Sequence, residues 1–442
     1  MLDILSLLQC LILEVETTTL RRMSIVVTAL LGMSGRVTMK GISRWAGKGG
    51  SYRTIQRFFN TVLPWSTLLW TFFHCHCWRA KHTYLLAGDE SVITKSGKKT
   101  YGIGRFFSGL QNQPVSGLSF FCLSLVSVEQ QKAYPVSLEQ QQPSSSQQPV
   151  AQAKQEQPQP VKRKRGRPKG SKNKDKTQVN LNRELRLIKD MIASLLNLIS
   201  GQISLQYLLL DGHFGHNNAM QMARQLNLHL ISKLRRDSKL FFPYDGNDGR
   251  RKYGTRINLQ QIPSQYRVKS SIEQVIRTDI YHLTALHPSF ASPLNLVILL
   301  KTNLQTQQRA HVLLFSSDLT LDAQTLIQYY SLRFQIEFNF RDAKQFWGLE
   351  DFMNTSPAGV INAANLSFFM VNLSSRLLQQ MKFFAPDFSI LDLKALCRGQ
   401  IYAHEVLKYL PEIPDPILLQ SIFTHVSNLG AIHPIPSSDP CL

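Results

Sequence analysis

The chain has 442 residues, 43% of them hydrophobic and 10% aromatic, which excludes an intrinsically disordered protein and allows more than one domain. Lys and Arg outnumber Asp and Glu by 50 to 29, and this formal charge of +21 favours a polyanionic partner, with nucleic acid ahead of a membrane surface. The six cysteines form no regular framework, so we expect a reducing compartment, the cytoplasm.

The first eighty residues have a helical pattern. Within them, VTMKGISRWAGKGGSYRTIQRFF predicts two helices joined by the glycine-rich turn 47–50. Ser51 is placed to cap the second helix, which then presents Arg53 and Arg57 on neighbouring positions. A helix-turn-helix that binds a DNA end fits this pattern, and so does a helical hairpin with a solvated basic face. The run HCHC at 74–77 is not expected to bind zinc, because four adjacent residues cannot converge tetrahedrally on one ion.

The next segment, HTYLLAGDES, is an apolar run that ends in an acid. It predicts a central strand whose C-terminal end presents Asp89. GLSFFCLSLVSVEQ and KAYPVSLEQ predict two further strands of the same core. Just after Asp89, the stretch TKSGKKT contains three lysines that fit DNA backbone contacts, although a solvated turn explains them nearly as well: Lys95, Lys98 and Lys99.

A compositional break follows these strands. Residues 139–160 are almost wholly Gln, Pro, Ser and Ala, and we expect them to be disordered because they cannot bury enough apolar surface. The stretch KRKRGRPKGSKNKDK, residues 162–176, then has nine basic residues and one acid. Its Arg-Gly-Arg-Pro core resembles an AT-hook for the A·T minor groove, and a non-specific polyanion clamp is the alternative. The basic residues expected to contact DNA are Arg163, Arg165, Arg167 and Lys169.

A second buried strand ending in an acid, QYLLLDGHFG, presents Asp211. It is preceded by the helical pattern LNRELRLIKDMIASLLNLIS and followed by a helix and another strand, which together predict a mixed α/β sheet. The two acid-ending strands are expected to be neighbours, with Asp89 and Asp211 at the same edge. The order D-x-H-x-x-H from Asp211 to His216 also resembles a zinc site, but His213 and His216 are better explained as loop residues near DNA.

The stretch YYSLRFQIEFNFRDAKQFW, residues 329–347, predicts one amphipathic helix with charges on an unusual side. At ~100° per residue, Tyr330, Arg333, Glu337 and Lys344 share a stripe, with Arg341 alongside and aromatic residues on both flanks. The opposite face is the expected solvent side and contains Ser331, Gln335, Asn339 and Asp342. Burying four functional groups without partners is unfavourable, so the stripe predicts a site that contains Glu337.

The spacing of Tyr330, Arg333, Glu337 and Lys344 resembles the YREK signature of a group of bacterial insertion-sequence transposases of the DDE superfamily. The resemblance implies an RNase H-like core in which Asp89, Asp211 and Glu337 form the catalytic triad. It also implies that these acids bind two Mg²⁺ ions, for which Mn²⁺ can substitute, and that Tyr330, Arg333 and Lys344 hold DNA phosphates. Three acids with oxygen donors suit such a pair of cations, which lie roughly 3.5–4 Å apart.

The implied function is cut-and-paste transposition, in which the protein binds transposon ends as a homodimer and catalyses DNA cleavage and strand transfer in the bacterial cytoplasm. An RNase H-like nuclease without strand transfer and a non-catalytic DNA-binding protein are the alternatives. Some relatives stack a flipped base on a tryptophan of a β-rich insertion, but the five tryptophans here lie outside 236–320, so the excision route stays open.

The expected division of the chain begins with a helical DNA-binding domain at 1–80 and a core at 81–235 that is interrupted by a linker at 139–177. A strand-rich insertion at 236–320 follows, and then the catalytic helix and end of the core at 321–385. The tail at 386–442 is a candidate for dimerisation.

Overall fold

The computed structural model describes residues 3–109, 111–143 and 175–435. The N-terminal part is all-α, as the sequence predicts, and the two predicted helices around the glycine-rich turn begin at capped residues. The Thr38 and Ser51 side chains accept hydrogen bonds from the backbone N–H groups of Gly41 and Thr54, which satisfies donors that a helix start leaves free. The helices of this part are α1 (Ile4–Leu8), α2 (Thr17–Gly32), α3 (Met39–Trp45), α4 (Tyr52–Asn60) and α5 (Trp65–His76).

A large mixed sheet forms the centre of the molecule, and the predicted α/β class with helices flanking an RNase H-like sheet is confirmed. In the described part of the chain, ten strands join it in the order β2-β3-β1-β5-β6-β12-β11-β10-β9, with β4 paired to β3. The strands of its first half are β1 (Tyr84–Thr94), β2 (Gly104–Ser108), β3 (Gln113–Ser127), β4 (Lys132–Gln141), β5 (Tyr207–Leu209) and β6 (His229–Lys233). Strand β1 pairs antiparallel with β3 and parallel with β5, so the predicted neighbourhood of the two acid-ending strands is confirmed.

The strand-rich region after residue 236 is continuous with this sheet. Strand β12 pairs antiparallel with β6, and the meander β9 to β12 extends the sheet to its far edge. Its strands are β9 (Arg267–Glu273), β10 (Ile276–Ala285), β11 (Leu294–Asn303) and β12 (Arg309–Ser316), while β7 (Phe241–Pro243) and β8 (Tyr253–Arg256) form a separate pair. The predicted β-rich insertion therefore adds strands to the core rather than a detached layer.

Two apolar cores cover the two faces of the sheet. Along β1, Leu85 and Ala87 enter the core shared with the N-terminal helices, and Tyr84 and Leu86 enter the other core, as the two-residue period of a strand requires. The second face is covered by α6 (Arg183–Ile199) and α7 (Asn217–Gln225). The remaining helices are α8 (Ala323–Leu332), α9 (Gln335–Gln345), α10 (Pro357–Met381), α11 (Ile390–Leu407) and α12 (Pro416–Asn428).

The basic residues of the predicted linker, Arg163, Arg165, Arg167 and Lys169, lie outside the described residues. Within the described ranges, no helix is both long enough and apolar enough to cross a membrane.

Candidate active site

Two acids meet at one edge of the sheet because of strand register. Ala87 of β1 lies opposite Leu209 of β5 in the parallel pair, and Asp89 and Asp211 each follow two residues later. A step of two residues keeps a side chain on the same face, so both carboxyl groups lie on the face that packs against α9 and α10. Asp211 also begins a short 3₁₀ turn by accepting a hydrogen bond from the N–H of His213 at 3.1 Å.

The third acid is joined to the first by an arginine. The guanidinium of Arg333 donates to Asp89 Oδ2 at 3.0 Å and to Glu337 Oε1 at 2.9 Å. The Arg333 side chain is only 15% exposed, and that of Asp89 is 20% exposed. The helix that contains Glu337 is thereby tied to the central strand at the position that the sequence predicts.

The acids affect the ionisation of neighbouring groups. Burial raises the pKa of Asp89 from 3.8 to about 6, the Arg333 guanidinium opposes this rise, and the carboxylates of Asp211 and Glu337 add to it. Burial also raises the pKa of the Tyr330 hydroxyl, to which Asp211 and Asp89 again contribute. The three carboxylates and Tyr330 therefore share one electrostatic environment, as a catalytic site often does.

The predicted single helix over 329–347 is wrong in one respect. Helices α8 and α9 are separated at Arg333 and Phe334, where the backbone bonds run from i to i−3, for example from Glu337 N to Phe334 O at 3.1 Å. Helix α9 buries Ile336, Asn339, Phe340 and Ala343, a set with the spacing of one helical face, so the predicted solvent face is wrong at Asn339. Asn339 is buried and donates to Ser124 Oγ of β3 at 3.2 Å, whereas Phe334 is 50% exposed.

The other cationic candidates of this region have different surroundings. Lys344 is half-buried and pairs with Glu350 at 3.4 Å, whereas the exposed Arg341 binds its neighbour Asp342 at 2.9 Å. Lys95 donates to the carbonyl oxygens of Glu350 and Phe352 at 2.7 and 2.9 Å, and burial lowers its pKa to about 8. This placement favours a structural role for Lys95. The sequence offered no signal for it, because the turn at 350–352 is distant in the chain; the exposed Lys98 and Lys99 remain DNA-contact candidates.

A basic concavity on the N-terminal helices contains the two predicted arginines of α4. Arg53 and Arg57 are exposed and line a depression of about 410 Å³ together with Arg22 of α2. Sequence spacing indicated the first two because they are one helical turn apart. It missed Arg22, because only the packing of α2 against α4 brings that residue to the same surface.

The side chains of the two histidines after Asp211 bond to groups other than Asp89, Asp211 and Glu337. His213 pairs with Glu184 of α6 at 3.5 Å, and His216 caps α7 through its Nδ1, which accepts from Ala219 N. Glu90 follows Asp89 along β1 and so lies on the opposite face, where Ser119 donates to it. The side chains of both histidines therefore have protein partners in the described structure.

The donor chemistry of the site fits a hard divalent cation, since Asp89, Asp211 and Glu337 offer only carboxylate oxygens. Three carboxylates also have more negative charge than the single guanidinium of Arg333 can neutralise. In residues 3–109, 111–143 and 175–435, no three His, Cys, Asp or Glu side chains are grouped closely enough to hold a metal ion as they lie. The Arg333 guanidinium lies between Asp89 and Glu337 instead.

The sequence family described as DDE superfamily endonuclease matches residues 6–284, which include Asp89 and Asp211 and end before Glu337. A comparison with curated proteins finds no match. The family match covers more than half of the chain, and two of the acids that geometry brings together lie within it. The chain belongs to the DDE superfamily of endonucleases.

Proposed function

We propose that this protein is a transposase of the YREK group that binds transposon ends and catalyses DNA strand cleavage and strand transfer. One observation supports the proposal above the others: Arg333 joins Asp89 on the central strand to Glu337 on α9, while Asp211 acts on the pKa of Asp89. Three acids from distant parts of the chain thus belong to one region of the structure. Asp89 would hold both of two Mg²⁺ ions, or Mn²⁺ in their place, with Asp211 and Glu337 completing one site each.

The bound ions would activate a water or a 3′-hydroxyl and stabilise the leaving oxygen. Around them, Tyr330 and Lys344 would contact the phosphates on either side of the scissile bond; Asp89 and Asp211 act on the pKa of Tyr330, and Lys344 lies two helical turns after Glu337 on α9. Cleavage forms a bond from phosphorus to the water oxygen and breaks the bond to the 3′ oxygen. Strand transfer repeats this exchange with the freed 3′-hydroxyl as the attacking group.

DNA would reach the site from two basic surfaces. The concavity of Arg22, Arg53 and Arg57 suits the phosphate backbone of a transposon end, because guanidinium groups pair with phosphate oxygens through two donors. The basic segment 162–176 would add affinity that depends on salt. Pairing of two ends by a homodimer in the bacterial cytoplasm completes the proposal.

The test is a cleavage assay with a duplex that bears the inverted repeats flanking the gene, in Mg²⁺. Glu337→Gln should bind this duplex as the wild type does and lose cleavage by several orders of magnitude. The control is Glu405→Gln, because Glu405 is an exposed acid of α11 that pairs only with Lys408 in the described structure. Equal loss of binding and cleavage in Glu337→Gln would contradict a catalytic role for this acid.

Strand transfer needs its own assay, with pre-cleaved ends and a supercoiled target. Joined products would support a transposase. Cleavage without joining would instead support a nuclease of the same family, and binding without either reaction would support a DNA-binding protein that has no catalytic activity.

A further inference from the structure

The guanidinium of Arg333 hydrogen-bonds the carboxylate oxygens that a metal ion would need. Its Nη1 donates to Asp89 Oδ2 at 3.0 Å and its Nη2 to Glu337 Oε1 at 2.9 Å, while the other oxygen of Asp89 accepts from Glu90 N at 2.9 Å. Both oxygens of Asp89 therefore accept hydrogen bonds already. An arginine whose only task was to bind phosphate would extend away from the acids.

We propose that Arg333 is an internal counterion that holds Asp89 and Glu337 in the metal-free protein and competes with the divalent cation for them. The inference rests on the proposed function for the identity of the cation. When the cation binds, the guanidinium leaves the carboxylates and takes a phosphate of the DNA instead. Arg333 is then a positioning residue before the reaction and a DNA contact during it.

The charges around Arg333 explain why it occupies this position. Three carboxylates close together repel each other, and in the described structure the guanidinium is the cation that bonds two of them. Its planar fork presents two donors at a fixed spacing, which a lysine ammonium cannot do. Lys344 is engaged with Glu350 at 3.4 Å and leaves this task to Arg333.

The local backbone also explains how Arg333 can exchange partners. Arg333 and Phe334 form the junction between α8 and α9, where the regular i to i−4 bonds give way to i to i−3 bonds. Its long side chain starts from this junction, so it can turn from the carboxylates toward bound DNA without moving either helix. Because the metal ion displaces the guanidinium from the carboxylates and a DNA phosphate binds the displaced guanidinium, the binding of each should strengthen the binding of the other.

A permanent structural ion pair predicts the opposite behaviour. If Arg333 only fixed the positions of Asp89 and Glu337, its removal would disorder the two acids and weaken metal binding. If Arg333 competes with the metal, its removal frees two oxygen ligands and strengthens metal binding. The sign of the change in metal affinity therefore separates the two roles.

The experiment measures Mn²⁺ binding to the full-length protein by calorimetry, without DNA. Arg333→Gln should bind Mn²⁺ at least about tenfold more tightly than the wild type, the scale of one charge-assisted hydrogen bond. Arg341→Gln is the matched control, since Arg341 lies on the adjoining helix α9 and pairs with Asp342, and the Mn²⁺ affinity of this variant should not change. Arg333→Lys keeps the charge but loses the fork and should show a smaller gain, which keeps the test decisive if Arg333→Gln fails to fold.

Unchanged or weaker Mn²⁺ binding in the Arg333 variants, or no Mn²⁺ binding by any of the proteins, would overturn the inference. A second measurement adds a DNA duplex. The duplex should raise the Mn²⁺ affinity of the wild type by several-fold and raise that of Arg333→Gln less. Because the readout is metal affinity, a protein that shows these shifts and cleaves no DNA would refute the proposed transposase and leave the role of Arg333 standing.

Discussion

Removing the charge of Asp89 should stabilise the metal-free protein. Asp89 is four-fifths buried, and burial together with its two acidic neighbours raises its pKa from 3.8 to about 6. A rise of about two pKa units means that the ionised form is disfavoured in the folded protein by about 3 kcal/mol at neutral pH. Asp89→Asn removes this penalty and retains an oxygen that can accept from Arg333, so we expect a gain of about 2–3 kcal/mol in the free energy of unfolding.

The pH dependence gives this prediction its sign. Below about pH 4 the carboxyl group is protonated in both folded and unfolded chains, and the wild type has no penalty from Asp89. Between about pH 4 and pH 6 the unfolded chain ionises first, so the stability contributed by this group falls as the pH rises. Above about pH 6 the penalty is complete. The advantage of Asp89→Asn should therefore be full at pH 7.5 and nearly absent at pH 4.

Urea denaturation at these two pH values, with EDTA present, measures the difference directly. Asp245→Asn is the control, because Asp245 is exposed and its replacement should leave stability unchanged at both pH values. A variant Asp89→Asn that is less stable than the wild type at pH 7.5, or equally changed at both pH values, would refute the reasoning. It would show that the ion pair with Arg333 outweighs the burial of the carboxylate.

Four further substitutions test the contacts around the site. Asn362→Leu should lower the free energy of unfolding by about 3–5 kcal/mol, since Asn362 bonds the Trp65 indole and three backbone carbonyls of the N-terminal helices; a loss below about 1 kcal/mol would contradict this. Gly348→Ala should cost about 2 kcal/mol or more, because φ is +78° and a Cβ would overlap Val37; an unchanged melting temperature would count against it. Lys95→Ala should lower the melting temperature, whereas Lys98→Ala should lower only DNA affinity in a filter-binding assay; the reverse pattern would restore Lys95 as a DNA contact.

The sequence predicted that the strands leading to Asp89 and Asp211 are neighbours, and the parallel pairing of β1 with β5 confirms this. Successive side chains of a strand point to opposite faces of the sheet. Two strands that pair in parallel can therefore present the acids that follow them on one face, as is the case for Asp89 and Asp211. Glu337 was predicted as a site residue from helical periodicity, because its stripe contained charges where the packing should be apolar. Each of these inferences used local periodicity plus one pairing rule.

Long-range contacts could not be predicted in the same way. The predicted orientation placed Asn339 in solvent, but α9 buries the face that contains Asn339, and this side chain bonds Ser124 of β3. The carbonyl partners of Lys95 come from a turn more than 250 residues later in the chain. Both outcomes depend on how α9 and the turn after it pack against the sheet. Tertiary packing sets this arrangement, and local sequence does not.

The packing also explains why the acids tolerate each other. Strand β1 is fixed by β3 and β5 on its two sides, and α9 is fixed by the buried Ile336 and Phe340 and by the Asn339 bond to Ser124. Apolar contacts thus set the positions of the carboxylates, where burial and, to a smaller extent, repulsion from Asp211 and Glu337 raise the pKa of Asp89. Any cation placed among them relieves the same repulsion. The guanidinium of Arg333 and a divalent ion are therefore alternative solutions to one electrostatic problem, and DNA phosphate, by attracting the guanidinium, favours the second.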